Sequence, residues 1–298
     1  MTAWGGSWTS AKVIANLSSP EVLTLWRFIV TVISFIPILV WLKTPMKLSK
    51  RSFLQALAGA VFIVIYNKFF FLGLRYGLAG AGGVLVTTLN PMLTFILTMV
   101  LFRREASKTE TVGIMLGCIG GLILLEIWEI SISKLFLSGN LFFLIASLAW
   151  ASLSLTSERS KNYMSPVVFS FYVYGFAAIL DFFIAFPYPI FQPLNFGAVF
   201  WLNILFLSVG CTTFATTVYF YASTRLGSRR ASSFIFLVPG SAVLLSWVIL
   251  KEIPKLSTII GGIIGISAVY LINVGATGSK VKSGGSTEEV IRNEGVGR

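Results

Sequence analysis

The chain has 298 residues, of which 56% are hydrophobic and only 11% charged, and its mean hydropathy is +0.86; soluble chains carry about 25% charged residues, so lipid is the expected solvent for most of this one. Its net charge of +12 sits in short clusters between apolar stretches, which speaks for membrane topology and against a nucleic-acid-binding face. There is no histidine, and Cys118 and Cys211 each stand alone inside apolar segments, so zinc sites, disulfide frameworks and histidine acid–base catalysis lack their usual residues, and neither metal nor cofactor nor enzymatic activity is expected.

Crossing a hydrocarbon core of about 30 Å at about 1.5 Å per residue takes roughly 20 mostly apolar residues. In chain order the predicted spans run from the start to Leu17, then 21–42, 52–74, 80–102, 110–126, 139–157, 166–186, 197–222, 231–250 and 257–275. The first is short, with Met1 only three residues before Trp4, and a start of translation upstream of Met1 is expected. No basic region precedes an apolar stretch and a small-residue cleavage site, so no removable signal peptide is expected. Residues 276–298 are rich in Gly, Ser and charge and are expected to form a disordered cytoplasmic tail.

The connecting loops give an independent test, because retained cytoplasmic loops carry an excess of Lys and Arg. With both termini inside, sixteen basic residues fall on the cytoplasmic side, against Arg75, Lys134, Lys251 and Lys255 outside. One missed or extra span would swap the side of every later loop. The parity therefore supports a multi-pass protein of the cell (inner) membrane with both termini cytoplasmic.

The chain also matches itself at an offset of 146 to 148 residues. Trp4 falls on Trp150, Ser19-Pro20 on Ser165-Pro166, Leu89-x-Pro91 on Leu237-x-Pro239, and Gly113-x-x-x-Gly117 on Gly261-x-x-x-Gly265. Shared order and spacing point to a duplication of five-span units, 1–130 and 139–275. Five is odd, so the second unit enters the membrane upside down. The fold predicted is an all-α integral membrane protein of ten transmembrane helices in two inverted five-helix repeats, an arrangement suited to alternating access.

Trp4-Gly5, Arg27-Phe28, Arg75-Tyr76 followed by small residues and Pro91, Trp150-Ala151, Tyr219 to Gly227, Pro239, and Leu250-Lys251-Glu252 with Gly261 resemble, in their order, the drug/metabolite transporter superfamily, and specifically its ten-helix EamA-type family of prokaryotic metabolite exporters. The resemblance covers nearly the whole chain. It departs at Arg104, which stands where Glu252 aligns, with Glu105 one place later, and in lacking residues before Trp4. It implies export of amino acids or related metabolites, with some members taking drugs or nucleosides, and a central cavity among spans one, three, four, six, eight and nine.

Ionisable groups at membrane depth are costly and are tested first as functional. Lys12, Arg27 and Asp181 lie within about two turns of predicted outer ends, where snorkelling suffices, and Glu126 and Glu129 sit at an outer edge where water reaches them. Lys68 is deeper, roughly 10 Å from the outer end of its span. It is read either as a contact for a substrate carboxylate, or as an ion pair with Asp181 or a reach to the interface. No carboxylate lies near the predicted midplane, which disfavours polycationic drugs.

The remaining candidate binding groups are Trp4, Trp8, Tyr66, Thr88, Asn90, Trp150, Thr216 and Tyr219. Aromatic faces with neutral hydrogen-bonding groups suit a small amphipathic, net-neutral solute such as a zwitterionic amino acid; for any single aromatic, internal packing or a lipid-facing position is the plainer role, and Trp4 and Trp150 stand out from the rest by their repeat-related positions. Gly113, Gly117, Gly261 and Gly265 read as packing seams or a dimer contact. Pro91 and Pro239 each remove a backbone donor inside the membrane and read as matched hinges. The function expected is a secondary exporter of amino acids or similar metabolites, partnered by a small solute and the bilayer and not by nucleic acid. A facilitator or importer of nucleosides or sugar conjugates, and a membrane scaffold, are the alternatives.

Overall fold

The two Ser-Pro pairs open two helices in the same way. Ser19 and Ser165 are N-caps in extended conformation, their hydroxyls accepting from Val22 N at 3.3 Å and Val168 N at 3.4 Å, with Pro20 and Pro166 as first helical residues. A serine side chain satisfies one of the four donors that a helix start leaves unpaired, and proline there has no donor to lose.

The computed structural model describes residues 1–76, 79–124, 126, 128, 140–245, 256–257 and 259–273. The Leu250-Lys251-Glu252 motif, Glu129, Lys134, Lys255 and the predicted tail lie outside the described residues. The helices are α1 (Thr2–Ile14), α2 (Pro20–Leu42), α3 (Lys50–Tyr76), α4 (Ala79–Phe102), α5 (Lys108–Leu124), α6 (Asn140–Ser160), α7 (Pro166–Ala185), α8 (Ala198–Leu226), α9 (Ser228–Ser233, Phe234–Phe236 and Leu237–Leu245 in succession) and α10 (Ile259–Asn273). Among the described residues there is no strand.

By length and composition α2, α3, α4, α6, α7 and α8 can each cross a membrane, and α10 is a shorter apolar helix. Ile33, Val40, Val100, Phe183, Phe214 and Ile263 are exposed on the outside of the bundle. An apolar surface that broad has no explanation in water, and backbone paired within helices is what lipid demands. The chain is an all-helical, multi-pass membrane protein.

The N-terminal and C-terminal halves pack on each other rather than side by side. α3 lies along α6 and α7, α2 along α7, α4 along α6, and α1 against α8 and α9. Lipid tails are as apolar as the side chains, so close approach at small residues holds such helices together. A Cβ at Gly59 of α3 would stand 2.7 Å from Val173 of α7, and one at Gly113 of α5 would stand 2.7 Å from Ile272 Cγ1 and 3.1 Å from Ala268 O of α10. A Cβ at Gly120 would lie 3.0 Å from Gly261 O and 3.2 Å from Gly265 N, while Gly117 faces the Phe236 ring.

The segments after α4, α6 and α8 meet at one end of the bundle. Arg104 pairs with Glu158 at 2.5 Å, and Glu158 Oε2 accepts from Ser228 N at 2.9 Å and Ser228 Oγ at 2.6 Å. Gly227 between α8 and α9 holds φ 88° and ψ 155°, a conformation that side chains rarely tolerate. Next to it, buried Arg229 donates to Thr98 Oγ1 at 2.6 Å, Arg104 O at 2.8 Å and Glu105 O at 3.0 Å, and lies 3.6 Å from the Glu110 carboxylate.

Candidate substrate cavity

An unusual stretch of helix shapes the site. Residues Phe206–Thr216 of α8 wind as a π-helix, a register usually met as single turns and often at functional sites. Its wider turn lets Thr212 and Thr216 donate to the carbonyls five residues back, Leu207 O and Cys211 O, at 2.8 and 2.9 Å. Cys211 O also accepts from Trp4 Nε1 at 3.0 Å, fixing the first tryptophan against α8.

Trp4 and Trp150, matched in the repeat, meet edge to face with ring centroids 5.1 Å apart. Tyr66 tilts onto Trp150 at 4.9 Å and stacks on Phe70, which in turn meets Trp8 at 4.9 Å. Aromatic pairs of this geometry add directional attraction to their packing. They line a small space of about 40 Å³, room for a few waters.

Among the described residues, one charged side chain borders it. Arg27 of α2 is buried and lines the cavity with Asn90, Thr87, Thr216 and Ser7. Its Nη1 donates to Asn67 Oδ1 at 2.8 Å, and its Nε and Nη2 reach Thr212 Oγ1 at 3.3 and 3.1 Å. Its partners are all neutral, and among the described residues no carboxylate comes within ion-pair reach of it. A guanidinium offers five donors in a planar fork, so bonds remain for a ligand oxygen. Asn90 Oδ1, also buried at the cavity, accepts no hydrogen bond. Cation, unsatisfied acceptor and aromatic walls together match a carboxylate, an ammonium and an apolar body.

Of the predicted binding residues, Trp4, Trp8, Tyr66, Asn90, Trp150 and Thr216 come together at this cavity. Three do not. Lys68 is turned away and pairs with Glu21 at 3.3 Å, not with Asp181. Thr88 faces Gly121 of α5, because consecutive helix positions point about 100° apart and Thr87 takes the direction of the cavity. Tyr219 stands behind the wall, tilted against Trp4 and Trp150 and bonded to Ser154 Oγ at 2.7 Å.

Pro91 lies inside an unbroken α4 beside Asn90, and Pro239 follows the tight turn Phe234–Phe236 of α9. Arg27, expected to reach for the outer surface, instead faces the cavity, and Asp181, given the same expectation, is only 2% exposed. Thr212 escaped the sequence reading altogether. A buried arginine beside a Trp/Tyr cluster in a chain otherwise poor in charge was the available signal.

The sequence profile of the EamA-like transporter family matches residues 1–126 and again 137–274. The chain is similar to an uncharacterized transporter of Archaeoglobus fulgidus, 24% identical over 91% of this chain and 93% of that one. It is also similar to the uncharacterized transporters YyaM and YdfC of Bacillus subtilis, at 24% and 25% identity, over 89% of this chain in both cases and 88% and 86% of theirs. One solved crystal structure superposes with a TM-score of 0.71 at 18% identity, covering 90% of this chain and 92% of that one, a likeness of fold.

Proposed function

The chain belongs to the EamA-like transporter family, and from that premise we propose that it is a secondary transporter of the inner membrane that exports zwitterionic amino acids or closely related metabolites by alternating access. The observation that carries this reading is Arg27, a buried cation whose partners are neutral, set in the wall of an aromatic cavity. Burying an unpaired guanidinium is expensive, and a substrate carboxylate would offset that cost. Asn90 Oδ1 is the matching acceptor for an α-ammonium.

Ten spans in two inverted repeats give the cavity its two exits. The meeting of the segments after α4, α6 and α8 supports this, because Arg104, Glu158 and Arg229 then share one face, the face with the excess of basic residues. On this topology a cysteine at Arg103 or Arg225, both exposed, is labelled from the cytoplasm, and one at Arg75 from outside. Labelling of Arg103→Cys and Arg225→Cys from opposite faces would refute the inverted arrangement.

Transport itself is tested with purified protein in proteoliposomes loaded with labelled leucine, phenylalanine, threonine or adenosine. Release of at least one amino acid faster than from empty liposomes, and loss of that difference in Arg27→Gln, is expected. Faster release of adenosine alone would overturn the amino-acid reading in favour of nucleosides. Equal release of every solute would count against transport altogether.

A further inference from the structure

A second group of charges lies on α2, α3 and α7, away from the cavity wall. Glu21 in the first turn of α2 is buried and pairs with Lys68 of α3 at 3.3 Å. Asp181, about one turn before the end of α7, is 2% exposed and has Glu21 and Lys68 as its charged neighbours. Its Oδ2 accepts no hydrogen bond, and among the described residues it makes no ion pair. The other helices packed on α7 are α6 and α8, and their ionisable charges, Glu158 and Arg159 on α6 and Arg225 on α8, sit at the opposite ends.

We propose that Glu21, Lys68 and Asp181 form a proton-binding site that couples solute export to proton entry, with Asp181 as the group that gains and loses the proton. Two carboxylates face one ammonium, so the fully ionised cluster buries an unpaired negative charge, and a neutral acid there costs far less. The ligand is the proton alone: it leaves a hydronium ion outside, bonds to a carboxylate oxygen of Asp181, and is later returned to water on the other side. Lys68, with its side chain 38% exposed, gives the cluster its contact with the aqueous edge.

The link to the cavity is short. Asn67, next to Lys68 on α3, accepts the hydrogen bond of Arg27 Nη1, and Glu21 and Arg27 share α2. When Asp181 is protonated, Lys68 belongs to Glu21 alone. When the proton leaves, Lys68 is drawn toward two carboxylates, and α3 carries Asn67 with it, changing the support of the cation that would hold the substrate. This step rests on reading the chain as a secondary transporter.

Two measurements on the full chain decide it. Infrared difference spectra of the purified protein across a pH titration are expected to contain the C=O stretch of a buried carboxylic acid that vanishes in Asp181→Asn; a band unchanged in that variant, or absent from the wild type, overturns the site. In proteoliposomes, acid outside is expected to drive amino-acid release, up to about tenfold in concentration ratio per pH unit for one proton. Asp181→Asn should keep equilibrative counterflow and lose the pH response. If it keeps the response, coupling lies elsewhere. Should Asp181→Asn not fold, Glu21→Gln, which leaves Lys68 to neutralise Asp181, is expected to abolish both the band and the pH response, and retention of either overturns the proposal. Absence of counterflow in the wild type would refute the transport reading, while the infrared titration still decides the proton site.

Discussion

Two arginines of this chain are buried to the same degree, Arg27 at 8% exposure and Arg229 at 7%, and their surroundings are opposite. Arg229 is saturated: two backbone carbonyls, the Thr98 hydroxyl, the Glu110 carboxylate and, at 4.7 Å, the face of Phe95. Arg27 has one amide oxygen, one hydroxyl and an aromatic cavity. Burial is costly for both, so what compensates it separates a structural cation from a binding one. Arg229 ties the segments after α4 and α8 together and needs nothing more. Arg27 is held in place but not neutralised, and its remaining capacity faces the space where a solute would sit.

The sharpest way to break this contrast is to remove each guanidinium in turn. Arg229→Leu leaves the buried Glu110 carboxylate without its cation and two loop carbonyls without donors, so stability is expected to fall by about 3–5 kcal/mol, read as a large drop in the melting midpoint of detergent-solubilised protein by size exclusion. Arg27→Gln strands no carboxylate. Its midpoint should stay or rise, whereas amino-acid release per folded molecule should drop about tenfold or more, as expected when a charged group loses its ligand bond. A comparable loss of stability in both variants would erase the distinction. The same contrast extends to the seam between α5 and α10: Gly113→Leu drives a side chain into Ile272 and the Ala268 carbonyl, should cost about 1–3 kcal/mol by overpacking, and should leave release per folded molecule close to wild type.

Much of the scaffold was legible because it follows from the one-dimensional pattern. Apolar length located the helices, and the Ser-Pro pairs mark caps whose geometry is the same at Ser19 and Ser165. The direction of a side chain was harder to read. Arg27 lies seven residues into α2 and Lys68 eight residues before the end of α3, at nearly equal depth, yet Lys68 faces Glu21 and the aqueous edge while Arg27 faces the cavity. Helices that are apolar nearly all round carry no clear stripe to orient them. Thr212 was hidden for a further reason: the π-register of α8 rotates residues away from the faces that a 3.6-residue period assigns. The adjoining pair Thr87 and Thr88 illustrates the same limit, one at the cavity and one against Gly121.

Pro91 offers the mildest test, and one in which the two kinds of role pull in opposite directions. It sits inside α4 next to Asn90, where its ring denies a hydrogen bond to the carbonyl four residues earlier, that of Thr87, another cavity residue. If the proline served only packing, its replacement would loosen the structure. If it keeps α4 deformable beside the site, Pro91→Ala restores a backbone donor, holds or raises the melting midpoint, and slows release by a few-fold because a straighter, stiffer α4 resists the change between the two cavity openings. Slower release at equal or higher stability groups Pro91 with Arg27; unchanged release at equal expression would remove it from the transport cycle and leave α4 as scaffold, alongside Arg229.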